Sequence, residues 1–327
     1  MTNIHTIVID AGGRYGLHPS WKPFSGELKY FLFEPDLQEA ERLKTKYADR
    51  SDEIIVDQRA LSDSDAGITI NILKNRAMST SYARDPKLEF FSGERKEQVE
   101  VVEKLEVDTI TIDSYCHDNQ LKADFLKLDV EGNEYKILQG SSFQLNNLLG
   151  VRCEVNFDRI FEGMPTFAEI HDFMLNKNFF LLNLDYNGRG FLCNEFADAN
   201  GRYGIIQDCD AVWVRRLKDV FDSNDSEDGM QQVPILKYAA FCMNNNAPDL
   251  AVHILLEARQ ELTISYEPLK NTKLYSFLFV ALHKHFYTLK WQPGQSLRKH
   301  QEAFQAIFDE PMMELNDYNQ SIELNPD

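Results

Sequence analysis

Positive charge is what this chain has least of. Lys and Arg together number 34 against 52 Asp and Glu, a formal net charge of −18 over 327 residues. A protein that tracks phosphates needs a basic face, so nucleic acid is not expected as a partner. Solubility alone is the ordinary reason for such an acid excess. Apolar runs of membrane-spanning length are also missing, so no membrane span is expected. The opening MTNIHTIVIDAG has no basic stretch and no cleavage pattern, and it passes straight into a strand-like run. A cytoplasmic location is the expectation. Cysteine is scarce: Cys116, Cys153, Cys193, Cys209 and Cys242 make an odd count with no CxxC pair. Reduced thiols follow, rather than a disulfide framework.

What is present is a core of ordinary size, with 43% hydrophobic residues, arranged in a βαβ rhythm. Strands are predicted at 5–10, 29–35, 53–56, 124–130 and 151–157, with a last pair at 179–185 and 211–216. The segment 67–73 alternates with period two and reads as one arm of a hairpin. Helices are predicted after Pro35, after TIDSY, over EYKILQGSSFQLNNLL and over TFAEIHDFMLNKN, where apolar residues recur at helical spacing. The fold class is therefore α/β, doubly wound, with a mostly parallel seven-stranded sheet. Residues 1–217 form this domain. The stretch 218–231 is acidic, Ser/Asp-rich and poor in apolar residues, which marks a linker. Residues 232–310 read as a small helical appendage, and 311–327 as a loose tail. The run LYSFLFVALHKHF is apolar enough to need burial, with the core as the expected partner. A homo-oligomer through these helices is one use for them.

The first strand ends in Asp10-Ala-Gly12-Gly13-Arg-Tyr-Gly16. Glycines let backbone approach a ligand closely. An acid at the strand tip repels a pyrophosphate, which weighs against the dinucleotide turn GxGxxG and a nicotinamide-dependent oxidoreductase. It suits the cationic amino-acid end of S-adenosylmethionine. The second strand ends in Phe33-Glu34-Pro35-Asp36, where a carboxylate can accept both ribose hydroxyls. A helix N-terminal acid is the plainer use of such a residue. Past the third strand, Ala60 and Leu61 can supply an apolar wall and a backbone N–H beside adenine.

At 124–140 the chain reads DFLKLDVEGNEYKILQG, and at 151–180 VRCEVNFDRIFEGMPTFAEIHDFMLNKNFF. Together with VIDAGG, FEP and TIDSY, these stretches resemble the FkbM family of methyltransferases over roughly residues 5–216. The resemblance implies a class I methyltransferase fold, S-adenosylmethionine as cofactor, and O-methylation of a hydroxyl. The acceptors it implies are sugars of glycolipids or polysaccharides, or natural products. Arg14-Tyr15 departs from the family loop, and the helical tail lies outside the match. A catalytically inactive scaffold or binding module on the same core is the alternative.

Methyl transfer is an in-line displacement, so alignment supplies much of its acceleration. An alcohol also needs a base or a metal. Asp129, Glu131 and Glu154 stand at adjacent strand ends and are the candidate catalytic residues. Asp129 also faces the expected cofactor, with Asp10, Gly12, Gly13, Gly16, Glu34, Ala60 and Leu61. Asp129, Glu154 and Asn156 are oxygen donors of the kind Mg²⁺ prefers, so a metal-bound acceptor stands beside Asp129 as general base. Glu131 and Glu134 can instead cap the next helix. Asp113 reads as a cap for the helix after it, His18 as a base or a structural residue, and His171 as surface. Ser79-Thr80-Ser81 could reach the cofactor or the acceptor. Tyr186, Arg189, Phe191 and Tyr203 have the character of a sugar-stacking patch.

Overall fold

The computed structural model describes residues 4–83, 97–186, 205–222, 231–289 and 296–312. Two compact units emerge: one of His5–Trp21 and Leu28–Arg216, the other of Met1–Ile4, Lys22–Glu27 and Leu217–Asp327.

The first unit is built on strands β1 (Thr6–Ala11), β2 (Leu28–Phe33), β3 (Ile54–Asp57), β8 (Phe125–Leu128), β9 (Gly150–Asn156), β10 (Phe179–Asp185) and β11 (Asp208–Arg215). They form one seven-stranded sheet in the order β10-β11-β9-β8-β1-β2-β3. The pairs within β3-β2-β1-β8-β9 are all parallel. β11 runs antiparallel to both β9 and β10. The sheet is doubly wound and mostly parallel, as the βαβ rhythm of the sequence predicts. Chain order reverses between β1 and β8, and ligands of open α/β sheets bind outside the carboxyl ends of the strands at such a switch point.

Two short pairings flank the sheet. β4 (Ala60–Leu61) pairs in parallel with β7 (Thr109–Ile110), and β5 (Ile68–Leu73) pairs antiparallel with β6 (Val101–Val107). The period-two segment is thus a hairpin arm, and its partner β6 goes unread in the sequence. β6 is mostly exposed, with only Leu105 and Val107 of VVEKLEV partly buried.

One face of the sheet buries Ile9, Phe31, Phe33, Leu126, Leu128, Val151 and Cys153. Against it lie α2 (Ile112–Asp118) through Tyr115, α3 (Glu134–Gln139) through Ile137 and Leu138, and α4 (Phe167–Asn176) through Ile170 and Met174. Each fully buried aliphatic or aromatic chain contributes about 2 kcal/mol. α4 opens on a capping box between Thr166 and Glu169. α1 (Leu37–Lys46) opens on Asp36, whose side chain accepts from the Gln38 N–H at 3.1 Å.

The helix predicted through Gly140 is shorter than its apolar pattern. α3 ends at Gln139 with Gly140 as its C-cap, where a Cβ would come within 2.3 Å of the Ser62 carbonyl oxygen. A separate 3₁₀ turn follows at Gln144–Asn146, and the Asp113 carboxylate accepts from the N–H groups of Phe143 and Gln144 at 2.8 and 2.9 Å. Asp113 therefore anchors that turn, while Thr111 caps α2. His171 is half-buried rather than on the surface. Its ring lies 5.1 Å from Phe167, and its Nδ1 accepts from Trp213 at 3.1 Å.

The second unit is helical: α5 (Leu217–Asp222), α6 (Gln232–Asn244), α7 (Pro248–Glu261), α8 (Lys273–Leu289) and α9 (Leu297–Phe308). The apolar stretch over 236–260 divides into α6 and α7 at Asn246, whose φ is 61°, with Pro248 at the first position of α7. LYSFLFVALHKHF, in α8, packs within this unit. Phe279 lies 4.9 Å from Phe304 and 5.1 Å from Phe308 of α9. The Glu27 carboxylate accepts from the N–H groups of Lys273 and Leu274 at 2.8 and 3.0 Å, capping α8 from far back in the chain. Among the described residues no helix is long and apolar enough to cross a membrane.

Candidate active site

A cleft of about 780 Å³, partly open to solvent, lies at the carboxyl ends of β1, β2 and β8. Gly12, Glu34, Ala60, Leu61, Asp129 and Glu131 line it, as do Phe33, Asp36, Asn133, Ser79 and Ser81. Its far wall is apolar: Ile68, Ile70 and Ile72 alternate along β5 and all face inward, joined by Leu105 of β6. The hairpin is thus a wall of the cleft, which its sequence did not announce. Arg76, on the turn after β5, donates to Asp36 at 2.8 Å, and Arg14 does so at 3.3 Å. Burial pulls Asp36 upward, but the bonds from these arginines outweigh it and hold its carboxyl below the ordinary range.

Gly12 has φ +84°, and a Cβ there would sit 1.6 Å from the Asp129 carbonyl oxygen. Only glycine lets β1 turn out beside β8 at this point. Glu34 is buried at 5% exposure and accepts the Asp36 N–H at 2.9 Å. Burial pushes its carboxyl up to about 7, against the pull of that hydrogen bond. Asn133 donates its amide to the Leu61 carbonyl at 3.2 Å, while its buried Oδ1 has no hydrogen-bond partner. The Ser81 hydroxyl is likewise buried and unpartnered.

Asp10, Gly13 and Gly16 do not line this cleft. Asp10 is fully buried, and its carboxylate accepts from the Tyr30 hydroxyl and from Lys127 Nζ at 3.2 Å. Gly13 packs against Leu32, and Gly16 lies against the Tyr47 hydroxyl. Burial raises Asp10 above the usual carboxylate value, with Lys127 opposing. Burial also works against the Lys127 ammonium, but Asp10 and Asp129 more than compensate and keep it charged.

This pair belongs to a polar row on the sheet face opposite the apolar core. Lys127 also reaches Asp129 at 3.3 Å. Arg152, the register partner of Lys127, bridges Asp210 at 2.8 Å and Asp185 at 2.6 Å. His18 belongs to this neighbourhood too. Its Nδ1 lies 2.7 Å from the Ser20 hydroxyl, and burial, then Lys127 and Arg152, lower its pKa to about 4. It is neutral at physiological pH. Trp21 is buried with its ring 5.6 Å from Phe125.

Asp129, Glu131 and Glu154 come together: one carboxylate oxygen from each lies within 4.8 Å of the others. Glu131 reaches the group through a left-handed backbone, φ 58°. Glu134 supports this turn by accepting from the Val130 and Gly132 N–H groups at 2.8 and 2.9 Å, and Thr80 Oγ1 donates to the Glu131 carbonyl at 2.5 Å. Glu134 is thus the local cap, and Glu131 is not. Burial, then repulsion from neighbouring carboxylates, raises Glu131 and Glu154 well above the ordinary glutamate range. Glu134 rises to about 7, again mainly from burial. Asn156 is buried with its Oδ1 unpartnered, two residues beyond Glu154 on the same strand. Tyr186 stacks on Phe157 at 6.3 Å. Arg189, Phe191 and Tyr203 lie outside the described residues.

Residues 20–181 match the family model described as Methyltransferase FkbM domain. No curated protein matches the chain. Similar solved structures include Sp1610 of Streptococcus pneumoniae, a candidate tRNA methyltransferase, at 9% identity and TM-score 0.34, covering 94% of this chain and 93% of that one. TrmK of M. capricolum, solved with S-adenosyl-homocysteine, is similar at 8% identity and TM-score 0.31, with coverage of 93% and 92%. The 16S rRNA methylase ArmA follows at 9% and 0.26, over 65% and 77%.

Proposed function

We propose, for a chain whose residues 20–181 belong to the FkbM methyltransferase family, that it transfers a methyl group from S-adenosylmethionine to a hydroxyl of a glycan or natural product. The observation that carries this reading is a cleft lined by two kinds of chemistry. One is a buried carboxylate, Glu34, with an apolar wall from Ile68, Ile70, Ile72 and Leu61. The other is Asp129 and Glu131, which with Glu154 also form the carboxylate group.

The residues present fit the cofactor. Glu34 can accept both ribose hydroxyls. Asn133 Oδ1 is a buried acceptor in want of a donor, which the adenine amino group supplies. The backbone at Gly12 allows close approach. When bound, the cofactor supplies a methyl group on a cationic sulfur. Asp129, at the edge of the cleft, is placed to orient the acceptor hydroxyl and take its proton. Lys127 and Asp10 act behind it, fixing the Asp129 carboxylate through the 3.3 Å contact.

Calorimetric titration of the full chain with S-adenosylmethionine and S-adenosylhomocysteine tests the reading. Micromolar binding of both is expected, weakened at least tenfold in Glu34→Ala. Asp129→Ala should keep binding and lose turnover once an acceptor is in hand. A folded chain that binds neither compound under any condition would overturn the enzyme reading in favour of a scaffold.

A further inference from the structure

We propose that Asp129, Glu131 and Glu154 hold a divalent cation of the hard, oxygen-seeking class, such as Mg²⁺ or Mn²⁺. The inference deepens the methyl-transfer reading but rests on separate observations.

Carboxylate oxygens from the loop after β8 and from β9 converge within 4.8 Å of one another. An acidic group alone is common, so the argument turns on the atoms around it. Glu154 Oε2 and Asn156 Oδ1 are both buried and have no hydrogen-bond partner. Both are acceptors. A buried acceptor with no donor costs about 1–3 kcal/mol, so each of the two calls for a partner. Asn156 is only 6% exposed, and strand alternation puts it on the same face of β9 as Glu154. An amide oxygen and three carboxylates form a set that hard cations take and that softer metals do not prefer.

The backbone is arranged to bring the third carboxylate in. Glu131 holds φ 58°, a conformation that costs a non-glycine residue about 1 kcal/mol or more. Thr80 and Glu134 hold that turn from either side. The nearby positive charges are already engaged. Lys127 divides its ammonium between Asp10 and Asp129, and Arg152 serves Asp185 and Asp210. A cation bound here would balance the three carboxylates and leave coordination positions for an acceptor oxygen.

The test uses the full chain, freed of metal with chelator, and Mn²⁺ as the probe. Loss of the free Mn²⁺ paramagnetic resonance signal should report one saturable site per chain, displaced by Mg²⁺. Glu154→Gln and Asp129→Asn are near-isosteric and should each weaken Mn²⁺ binding at least tenfold. Glu34→Gln, outside the carboxylate group, should leave it unchanged. Circular dichroism confirms folding of each variant. Absence of saturable binding, or affinity unchanged in both folded carboxylate variants, would overturn the proposal. The readout needs no cofactor, so a chain that binds Mn²⁺ but not S-adenosylmethionine would sink only the methyl-transfer reading.

Discussion

Glu34, the proposed ribose acceptor, is held buried at the expense of the fold. Burial sets its carboxyl at about 7, against an ordinary 4.5. The folded state therefore binds this proton more tightly than the unfolded chain. The stability it contributes is full below pH 4.5 and is lost as pH rises through 7. Each tenfold difference in proton affinity is worth about 1.4 kcal/mol, so the loss approaches roughly 3 kcal/mol by pH 8. Glu34→Gln should accordingly raise the melting temperature of the ligand-free chain at pH 8 and change it little at pH 4. The same substitution removes the ionised ribose acceptor, so cofactor affinity should fall about tenfold at pH 8. In the wild type, affinity should decline as pH drops below 7, while the variant stays flat. Scanning calorimetry and titration at pH 6, 7 and 8 measure both. A variant less stable at pH 8, or a wild type indifferent to pH, would remove the role assigned to Glu34.

Elements carry the next constraint, and glycines separate fit from mere flexibility. Gly12 and Gly163 both have positive φ, +84° and +74°. A Cβ on Gly12 would strike the Asp129 carbonyl at 1.6 Å, whereas one on Gly163 would meet nothing within 4 Å. Gly163→Ala should cost only the left-handed penalty of about 1 kcal/mol. Gly12→Ala adds displacement of β1 from β8 and should cost at least twice that, with loss of cofactor binding. Urea melts of the two variants compare them directly; equal costs would mean that the close approach does not matter. The same contrast explains how far the sequence can be read. Strands β1, β2, β8 and β9 are buried runs bounded by turn residues, and DFLKLDVEGNE marks the loop that carries Asp129. Nothing local marks β6, whose exposed Val101 and Val102 look like loop residues. Convergence is harder still to read. Strand order puts Glu131 near Glu154, but the left-handed turn that brings it in is set by Thr80 and Glu134 in three dimensions. The ion pair between Asp10 and Lys127 is equally hidden from the sequence, because the charge on a neighbouring strand cannot be seen from Asp10's own segment.

At the scale of the molecule, the helical unit cannot be cut out at its apparent boundary. Phe24 and Glu27 belong with it, Phe24 buried and Glu27 capping α8. Removing that cap should cost about 1 kcal/mol, read as a lower melting temperature in Glu27→Ala than in Glu27→Gln, which keeps one acceptor. Equal melting temperatures would show the cap to be idle. Net charge acts over longer range. At −18 the chain repels a polyanion, and even the cleft is lined by four acids against two arginines, both already paired with Asp36. Binding to RNA depends on cations that release counterions from phosphates, and it strengthens steeply as salt is lowered. If the acceptor is a neutral hydroxyl compound, mixing the chain with transfer RNA at low salt should give no mobility shift, where a basic enzyme would bind most strongly. A shift that vanishes as salt is raised would reveal a basic surface and move the acceptor from glycans to RNA. Without that shift, the search belongs among uncharged or cationic acceptors, which an acidic cleft attracts.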